Sequence, residues 1–110
     1  MRTLKRSGEF ERVRRVGQSW AYGPVVLNAA ANHADYVRCG FVAGKKVGGA
    51  VQRNRARRLM REAVKQKLYL IAPGWDLIWI ARHSILEVKL DTVSKSVEEA
   101  LIRSKLIQRI

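Results

Sequence analysis

The side chains best suited to chemistry lie between Lys45 and Glu62, in the run KKVGGAVQRNRARRLMRE. Lysine and arginine neutralise phosphate groups, and the planar guanidinium of arginine also makes bidentate contacts with them. The basic residues follow a glycine-containing turn and then recur at helical spacing, so their charges are expected on one ordered surface. The run therefore predicts a site that holds a polyanion in a fixed register.

The composition of the whole chain supports a polyanionic partner. The 110 residues carry a formal net charge of +13, and 47% of them are hydrophobic. That apolar content suffices for a buried core, so we expect a single domain over residues 1–110 rather than a disordered basic tail. Nucleic acid is the leading partner class, while an anionic membrane surface or an acidic protein remains an alternative.

Side chains that could act as catalysts are few and scattered. His33 and His83 have no partner at metal-ligand spacing, and Asp76 stands isolated at the start of a predicted strand. The single cysteine, Cys39, lies in an apolar stretch, which predicts a buried and inert thiol. Since no nucleophile motif, metal cluster or acid–base pair is evident, any chemistry is expected to reside in the partner.

The glycine-rich loop GKKVGG, at positions 44–49, could be compared with a phosphate-binding loop. It lacks the GxxxxGK[ST] spacing, and this excludes a nucleotide triphosphatase of that class. We expect instead that its backbone N–H groups, and the N-terminus of the helix that follows, approach an RNA phosphate closely.

A helix is predicted from Ala50 to Leu70, and its two sides differ. The apolar positions share the side expected to pack on a sheet, namely Ala56, Leu59, Met60, Ala63 and Val64. The other side carries Asn54, Arg57, Arg61 and Lys65, with Arg58 beside them and Arg53 near the boundary. Only Glu62 interrupts the basic residues between Lys45 and Lys67. Like charges at this spacing repel by about a few tenths of a kcal/mol, so this excess of one sign indicates a match to phosphates.

The remaining elements must position that helix. They are a helix over 7–16, strands over 25–30 and 36–43 that pair as a hairpin, a buried strand over 76–81 and a closing helix over 91–107. The order α-β-β-α-β-α predicts an α+β two-layer sandwich of one sheet with helices packed on it. If the second and third strands are parallel neighbours, general topology rules favour a right-handed crossover through the basic helix.

Aromatic side chains offer a second kind of contact, because single-stranded bases stack on them. Phe10, on the apolar side of the first helix, is assigned either to the core or to a groove that stacks bases. Trp20 and Tyr22 precede a strand and are candidates for the same groove. Trp79 and Phe41 lie in apolar strand runs and are assigned to the core.

Several features favour a cytoplasmic protein without a membrane partner. The opening run MRTLKRSGEFERVRR lacks the apolar segment of a secretory signal. No stretch approaches the roughly 20 apolar residues that span a bilayer. A lone cysteine also forms no internal disulfide.

The basic run closely resembles the signature of the bacterial ribonuclease P protein subunit. In that family, a Lys-Lys-x-Gly-x-Ala-Val stretch leads into Arg-Asn-Arg, then a basic pair and an Arg-Glu or similar pair. The matching positions are Lys45, Lys46, Gly48, Ala50, Val51, Arg53, Asn54, Arg55, Arg57, Arg58, Arg61 and Glu62. The Phe-x-x-Val pattern of the first helix, the DLIWIAR strand and the closing helix extend the resemblance over nearly the whole chain.

This resemblance implies a fold and an activity. The fold is a ribosomal protein S5 domain 2-like sandwich with a left-handed βαβ crossover, which replaces the general right-handed expectation. The holoenzyme is an endoribonuclease that removes the 5′ leader of precursor tRNA to give the mature 5′ end. Its catalytic subunit is RNA, so this chain would assist a Mg²⁺-dependent reaction whose metal ions are held mainly by the RNA partner.

The resemblance also implies roles for individual residues within a single RNA-binding domain. Phe10 would line the cleft that binds the single-stranded leader, between the sheet and the first helix. The residues that would contact the catalytic RNA are Arg53, Asn54, Arg55, Arg57, Arg58 and Arg61, with Lys45 and Lys46 in support and Lys65 on the same helix face. The alternatives are a structural RNA-binding protein such as a ribosomal component, a protein nuclease acting alone, and a basic helix on a membrane surface.

Overall fold

The computed structural model describes residues 1–108 of the chain. That part contains five strands and three α-helices, with short 3₁₀ helices at Leu68–Leu70 and His83–Glu87. In chain order the main elements are β1 (Arg2–Thr3), α1 (Ser7–Val16), β2 (Gln18–Tyr22), β3 (Val25–Ala31), β4 (Val37–Val42), α2 (Ala50–Lys65), β5 (Trp75–Ala81) and α3 (Leu90–Arg103). The predicted α+β class is therefore confirmed.

The strands form one mixed sheet in the order β1-β4-β5-β3-β2. β4 is parallel to both β1 and β5, while β3 is antiparallel to both β5 and β2. The predicted hairpin between β3 and β4 is wrong, because β5 lies between them and pairs with each. In the register, Trp79 of β5 stands between Leu27 of β3 and Phe41 of β4.

The hairpin in this sheet joins β2 and β3 instead, and the sequence pattern did not predict β2. Gly23 and Pro24 form its connection, and Gly23 has a φ of 55°, a left-handed conformation that favours glycine. Trp20 consequently lies opposite Leu27 in the sheet. The two-residue β1 was not predicted either, since a strand this short carries no periodicity.

The basic helix α2 connects β4 to β5, which are parallel neighbours. This confirms that the helix is a crossover between adjacent strands. The left-handed sense of the crossover stays a prediction from the family resemblance.

The two faces of the sheet pack against different helices. The main face, which includes Leu27, Leu77 and Trp79, packs on α2 and α3 in the larger hydrophobic core. The opposite face, which we call the groove face, packs on α1 in a smaller cluster of Leu4, Val13, Ala30 and Ile78. Helices α2 and α3 thus form the predicted second layer, and α1 adds a partial layer on the other face.

Two helices are shorter than predicted. α2 ends at Lys65, because the following Leu68–Leu70 segment forms a 3₁₀ turn. α3 spans Leu90–Arg103, and Ile107 is buried beyond its end rather than within it. Ser96 lies inside α3, where its hydroxyl donates to the carbonyl of Thr92 at 2.9 Å.

The core side of α2 supplies a stability prediction. Met60 is fully buried, whereas Leu59, predicted to be core, is only half-buried at the edge of the same cluster. Met60→Ala should lower the free energy of unfolding by about 2 to 5 kcal/mol, because it leaves a cavity. Leu59→Ala should lower the free energy of unfolding by a smaller amount, since Leu59 already contacts solvent. Urea denaturation of both variants tests this order, and equal costs would contradict it.

Candidate nucleic-acid interface

The predicted contact residues on the outer face of α2 differ in their exposure to solvent. Four side chains are exposed, namely Asn54, Arg58, Arg61 and Lys65, and three are half-buried, namely Arg53, Arg55 and Arg57. Arg58, predicted to flank the face, is therefore more exposed than Arg57, which was predicted at its centre. All seven lie on one helix whose other side is anchored in the main core, so their spacing is fixed by the helix.

Neighbouring groups restrain several of these basic side chains. The Arg57 guanidinium donates a hydrogen bond to the side-chain oxygen of Asn54. The Arg61 guanidinium carbon lies 5.2 Å from the centre of the Phe41 ring on β4, within the range of a cation–π contact. Nε of Arg53 is shielded from solvent and has no acceptor within residues 1–108. The surface is thus partly ordered before any ligand binds.

The N-terminus of α2 adds positive potential to the same surface. Its N-cap is Gly49, which offers no side-chain acceptor, and its first turn contains no acidic residue. Lys45 and Lys46 are exposed in the preceding turn, which closes through a hydrogen bond from Val47 N to Gly44 O at 3.0 Å. The first N–H groups of a helix need acceptors, and the helix dipole favours an anion there. This end of α2 therefore suits a phosphate.

The positive charge of this surface is not neutralised inside the protein. Among the described residues, the ion pairs within 4 Å involve Arg12, Arg38 and Lys67 as cations. These pairs include none of the basic residues on the outer face of α2 or in the turn before it. Uncompensated cations at fixed spacing are a feature of surfaces that bind phosphates.

On the other face of the sheet, beside α1, lies a strip of half-buried apolar side chains, which we call the groove beside α1. Phe10 is half-buried there and packs with the half-buried side chains of Val42 and Ile80 against the smaller core cluster. Gly40 lies directly under the ring, because a Cβ atom added to it would come within 2.5 Å of Phe10 Cε1. Phe10 therefore packs on the core and keeps part of its ring exposed, and its role in stacking bases stays a prediction.

Two other aromatic candidates are not in this groove. Trp20 packs against the main core, on the opposite face of the sheet. Tyr22 lies on that same face, with the Arg103 guanidinium carbon of α3 4.7 Å from its ring centre. Their prediction as groove residues is wrong, since the β2–β3 pairing turns both side chains to the main face. Trp79 is fully buried, as predicted.

Asp76, which seemed isolated in the sequence, is the centre of a polar cluster under α1. It is fully buried, and Arg38 of β4 donates to both its oxygens, from Nε at 2.9 Å and Nη2 at 2.7 Å. Asn32 Nδ2 donates to Oδ1 at 2.9 Å, and Arg12 Nη1 of α1 donates to Oδ2 at 3.3 Å. Glu9 forms a further ion pair with Arg38. The cluster therefore ties α1 to the sheet.

The acidic members of this cluster are held in their charged forms. Burial alone would raise the pKa of Asp76, but hydrogen bonds from Arg38 and Asn32, with the charges of Arg38 and Arg12, hold it below its ordinary value. The pKa of Glu9 is lowered chiefly by hydrogen bonds from the backbone N–H groups of Arg6 and Lys5. Both carboxylates thus stabilise the fold in their ionised state.

The single cysteine has a different environment. Cys39 is fully buried, and burial raises the pKa of its thiol to about 12. A thiol with so high a pKa has little thiolate at neutral pH and is a poor nucleophile. This agrees with the predicted inert thiol.

No helix within residues 1–108 is both long enough and apolar enough to cross a membrane.

Comparison with known proteins gives consistent matches over nearly the whole chain. A family model described as ribonuclease P matches residues 1–105. A ribonuclease P protein component from Roseiflexus sp. (strain RS-1) is 44% identical over 106 residues, which cover 96% of this chain and 87% of that relative. One from Clostridioides difficile (strain 630) is 36% identical over 104 residues, covering 94% and 91%.

Solved structures agree with these matches. The structure of the RNase P protein from Staphylococcus aureus superposes with a TM-score of 0.87 at 29% identity, covering 98% of this chain and 99% of that one. The RNase P protein from Thermotoga maritima gives a TM-score of 0.83 at 28% identity, covering 94% and 97%.

The Asp76 cluster predicts a specific dependence of stability on pH. A carboxylate with a lowered pKa stabilises the fold above its unfolded pKa of about 3.9, and that stabilisation is lost as pH falls through the folded pKa. Asp76→Asn should therefore lower the free energy of unfolding by about 3 kcal/mol near neutral pH, because Arg38 loses one of its two charged partners and Arg12 loses its own. The difference in the free energy of unfolding between this variant and the unmodified protein should become smaller below a pH of about 4.

Urea denaturation at a series of pH values measures this difference. Asp35→Asn is the matched control, because Asp35 is exposed and lies outside the cluster. It should change the free energy of unfolding little at any pH. The prediction would be contradicted if Asp76→Asn lowered the free energy of unfolding by the same amount at neutral and at strongly acidic pH.

Proposed function

The chain belongs to the ribonuclease P family, and we propose that it binds the catalytic RNA through the outer face of α2 and the 5′ leader of precursor tRNA through the groove beside α1. It is a protein subunit of ribonuclease P, the endoribonuclease holoenzyme that processes the 5′ end of tRNA. An RNA subunit is its partner in that ribonucleoprotein. The proposal assigns the two RNA contacts to the two sides of the sheet.

The outer face of α2 is the best candidate for the catalytic RNA. The observation that carries this assignment is its uncompensated positive charge, from Lys45 and Lys46 in the turn to Lys65 at the end of the helix. A helix fixed by its buried side presents these charges at constant spacing, as a folded RNA surface requires. The uncapped N-terminus of α2 provides a further position for a phosphate.

The groove beside α1 suits a single strand better than a duplex. It is apolar and partly exposed, and Phe10 offers a ring on which an unpaired base can stack. Asn28 and Val26 lie half-buried on the same face of β3, because they alternate with the buried Val25, Leu27 and Ala29. A leader bound there would give precursor tRNA contacts that mature tRNA lacks, and this would favour the precursor.

The chemical step is assigned to the RNA partner. Within residues 1–108, no group of three or more His, Cys, Asp or Glu side chains is arranged to hold a metal ion. As the family resemblance implies, we assign the Mg²⁺ ions mainly to the RNA, and we assign to this chain the binding and orientation of the two RNAs. The assigned location is the cytoplasm, where precursor tRNA would be met.

The contact between α2 and the catalytic RNA is testable by its salt dependence. Arg61→Ala and Lys65→Ala should each weaken binding and lower the slope of log affinity against log salt by up to about one, because each removes a phosphate contact. Lys95→Ala, on the exposed side of α3, removes the same charge elsewhere and should leave the slope unchanged. Equal slopes for all three variants would contradict the assignment.

The leader groove is testable by varying the leader from none to several nucleotides. Phe10→Ala should reduce the preference of the holoenzyme for leader-bearing substrate by roughly five- to hundredfold, the value of one or two stacked bases. Gly40→Ala should act in the same direction, because the new methyl group displaces the Phe10 ring. Cleavage rates at low Mg²⁺ provide the measurement.

Tyr22→Ala is the control for the groove, since this aromatic side chain is exposed on the opposite face of the sheet. It should leave the leader preference intact. If Phe10→Ala weakened leader-bearing and leaderless substrates equally, the groove would not bind the leader. If the cleavage rate of the unmodified holoenzyme did not depend on leader length, a purely structural RNA-binding role would be favoured instead.

A further inference from the structure

A second basic site lies at the corner where β1, β4 and the start of α1 meet. It is a concave pocket with a volume of about 470 Å³. We call it the N-terminal basic pocket, and the charged and aromatic side chains that line it are Arg2, Lys5, Arg6, Glu9, Tyr36 and Arg38. None of these residues belongs to the outer face of α2 or to the leader groove.

The charge of the pocket is positive and largely unsatisfied. Its single acidic member, Glu9, is engaged by Arg38 and by the backbone N–H groups of Lys5 and Arg6. Arg38 is itself committed to Asp76. The side chains of Arg2, Lys5 and Arg6 form no ion pair with any residue within 1–108, so three cations share the pocket without a counter-charge.

The frame that carries these cations is ordered. The Tyr36 ring lies under the Arg2 guanidinium, whose central carbon is 4.2 Å from the ring centre, and Arg38 approaches the same ring at 5.8 Å. Leu4 N donates to Cys39 O at 2.9 Å, which continues the pairing of β1 with β4. Glu9 then fixes the backbone at Lys5 and Arg6. A ligand would therefore meet cations on a scaffold that the fold already holds.

The pocket is well separated from the α2 surface. Tyr36 precedes β4, whereas Lys45 and Lys46 follow its other end, and β4 from Val37 to Val42 spans about 17 Å. Arg38 also points to the groove face, while α2 packs on the main face. One phosphate group cannot contact both sites.

We propose that the N-terminal basic pocket is a second phosphate-binding site for RNA, which takes backbone phosphates through Arg2, Lys5 and Arg6. The proposal rests on the RNA-binding function given above, and it adds a contact at the opposite end of β4 from α2. A phosphodiester fits because it brings the negative charge that the pocket lacks, and the pocket admits more than one phosphate oxygen at a time. The phosphate belongs either to the catalytic RNA or to precursor tRNA.

The double variant Arg2→Gln/Lys5→Gln tests the proposal in the full-length protein. It removes two charges from the pocket and leaves Glu9, Arg38 and Asp76 in place. Lys89→Gln/Lys95→Gln is the matched control, because both of these lysines are exposed on the α3 side. Thermal unfolding should show the same midpoint for the two double variants. Arg61→Gln/Lys65→Gln serves as the reference for a weakened α2 surface.

Two binding measurements distinguish the source of the phosphate. The first is affinity for the catalytic RNA alone, and the second is affinity of the assembled holoenzyme for precursor tRNA. Affinity falls as the salt concentration rises from about 50 to 200 mM. Removing one phosphate interaction should make that fall smaller by a factor of roughly three to four. A change in the first measurement assigns the phosphate to the catalytic RNA, and a change in the second assigns it to the substrate. Either result supports the pocket.

The proposal is overturned if the pocket variant matches the control in both measurements while the α2 variant binds more weakly. In that case RNA binding through α2 stands, and the pocket binds no phosphate of either RNA. If the unmodified protein binds neither RNA, both the pocket and the proposed function fail. A pocket variant that unfolds at lower temperature than the control is replaced by Arg6→Gln alone, with the same two criteria.

Discussion

The buried carboxylate of Asp76 is the constraint on which the arrangement of this protein depends. A buried charge is tolerated only when it is paired and hydrogen-bonded, and breaking such a pair costs about 3 to 5 kcal/mol. Asp76 meets that requirement with donors from β4 (Arg38), from α1 (Arg12) and from the end of β3 (Asn32). Since these donors come from separate elements, the full set assembles only when α1 lies across the sheet. The position of α1 then defines both the groove beside it and the N-terminal basic pocket.

Helix α2 can carry a high positive charge because its stability comes from the apolar side chains on its buried side. Repulsion between like charges along one face costs about a few tenths of a kcal/mol per pair. Burial of a single large apolar side chain such as Met60 contributes about 2 kcal/mol or more in the opposite direction. The helix can therefore keep a predominantly basic face, interrupted by Glu62, and the main core fixes that face relative to the sheet. The proposed RNA-binding surface and the core thus use opposite sides of the same sixteen-residue helix.

The elements defined by local pattern were predictable, and those defined by pairing were not. The span of α1, the start of α2 and the buried strand β5 follow from periodicity within one segment. The hairpin was assigned to β3 and β4 because they are neighbours in sequence, but β5 enters between them from more than thirty residues away. The Gly23-Pro24 turn is a local signal for the β2–β3 hairpin, but β2 itself lacks an apolar run that would mark it as a strand. The side chains of Trp20 and Tyr22 were misplaced for that reason.

The sequence alone determined the family, the basic helix and its two sides, because those properties depend on residue types at short, regular spacing. It also indicated the inert thiol of Cys39, since an apolar neighbourhood is visible in the chain. The tertiary structure decided the strand order, the face to which each aromatic residue points, and the partners of Asp76. Those partners lie up to 64 residues away in the chain. The tertiary structure also decided the N-terminal basic pocket, because Arg2 and Tyr36 come together only when β1 pairs with β4. Such a contact depends on pairing between strands that are distant in the chain, so no local sequence pattern predicts it.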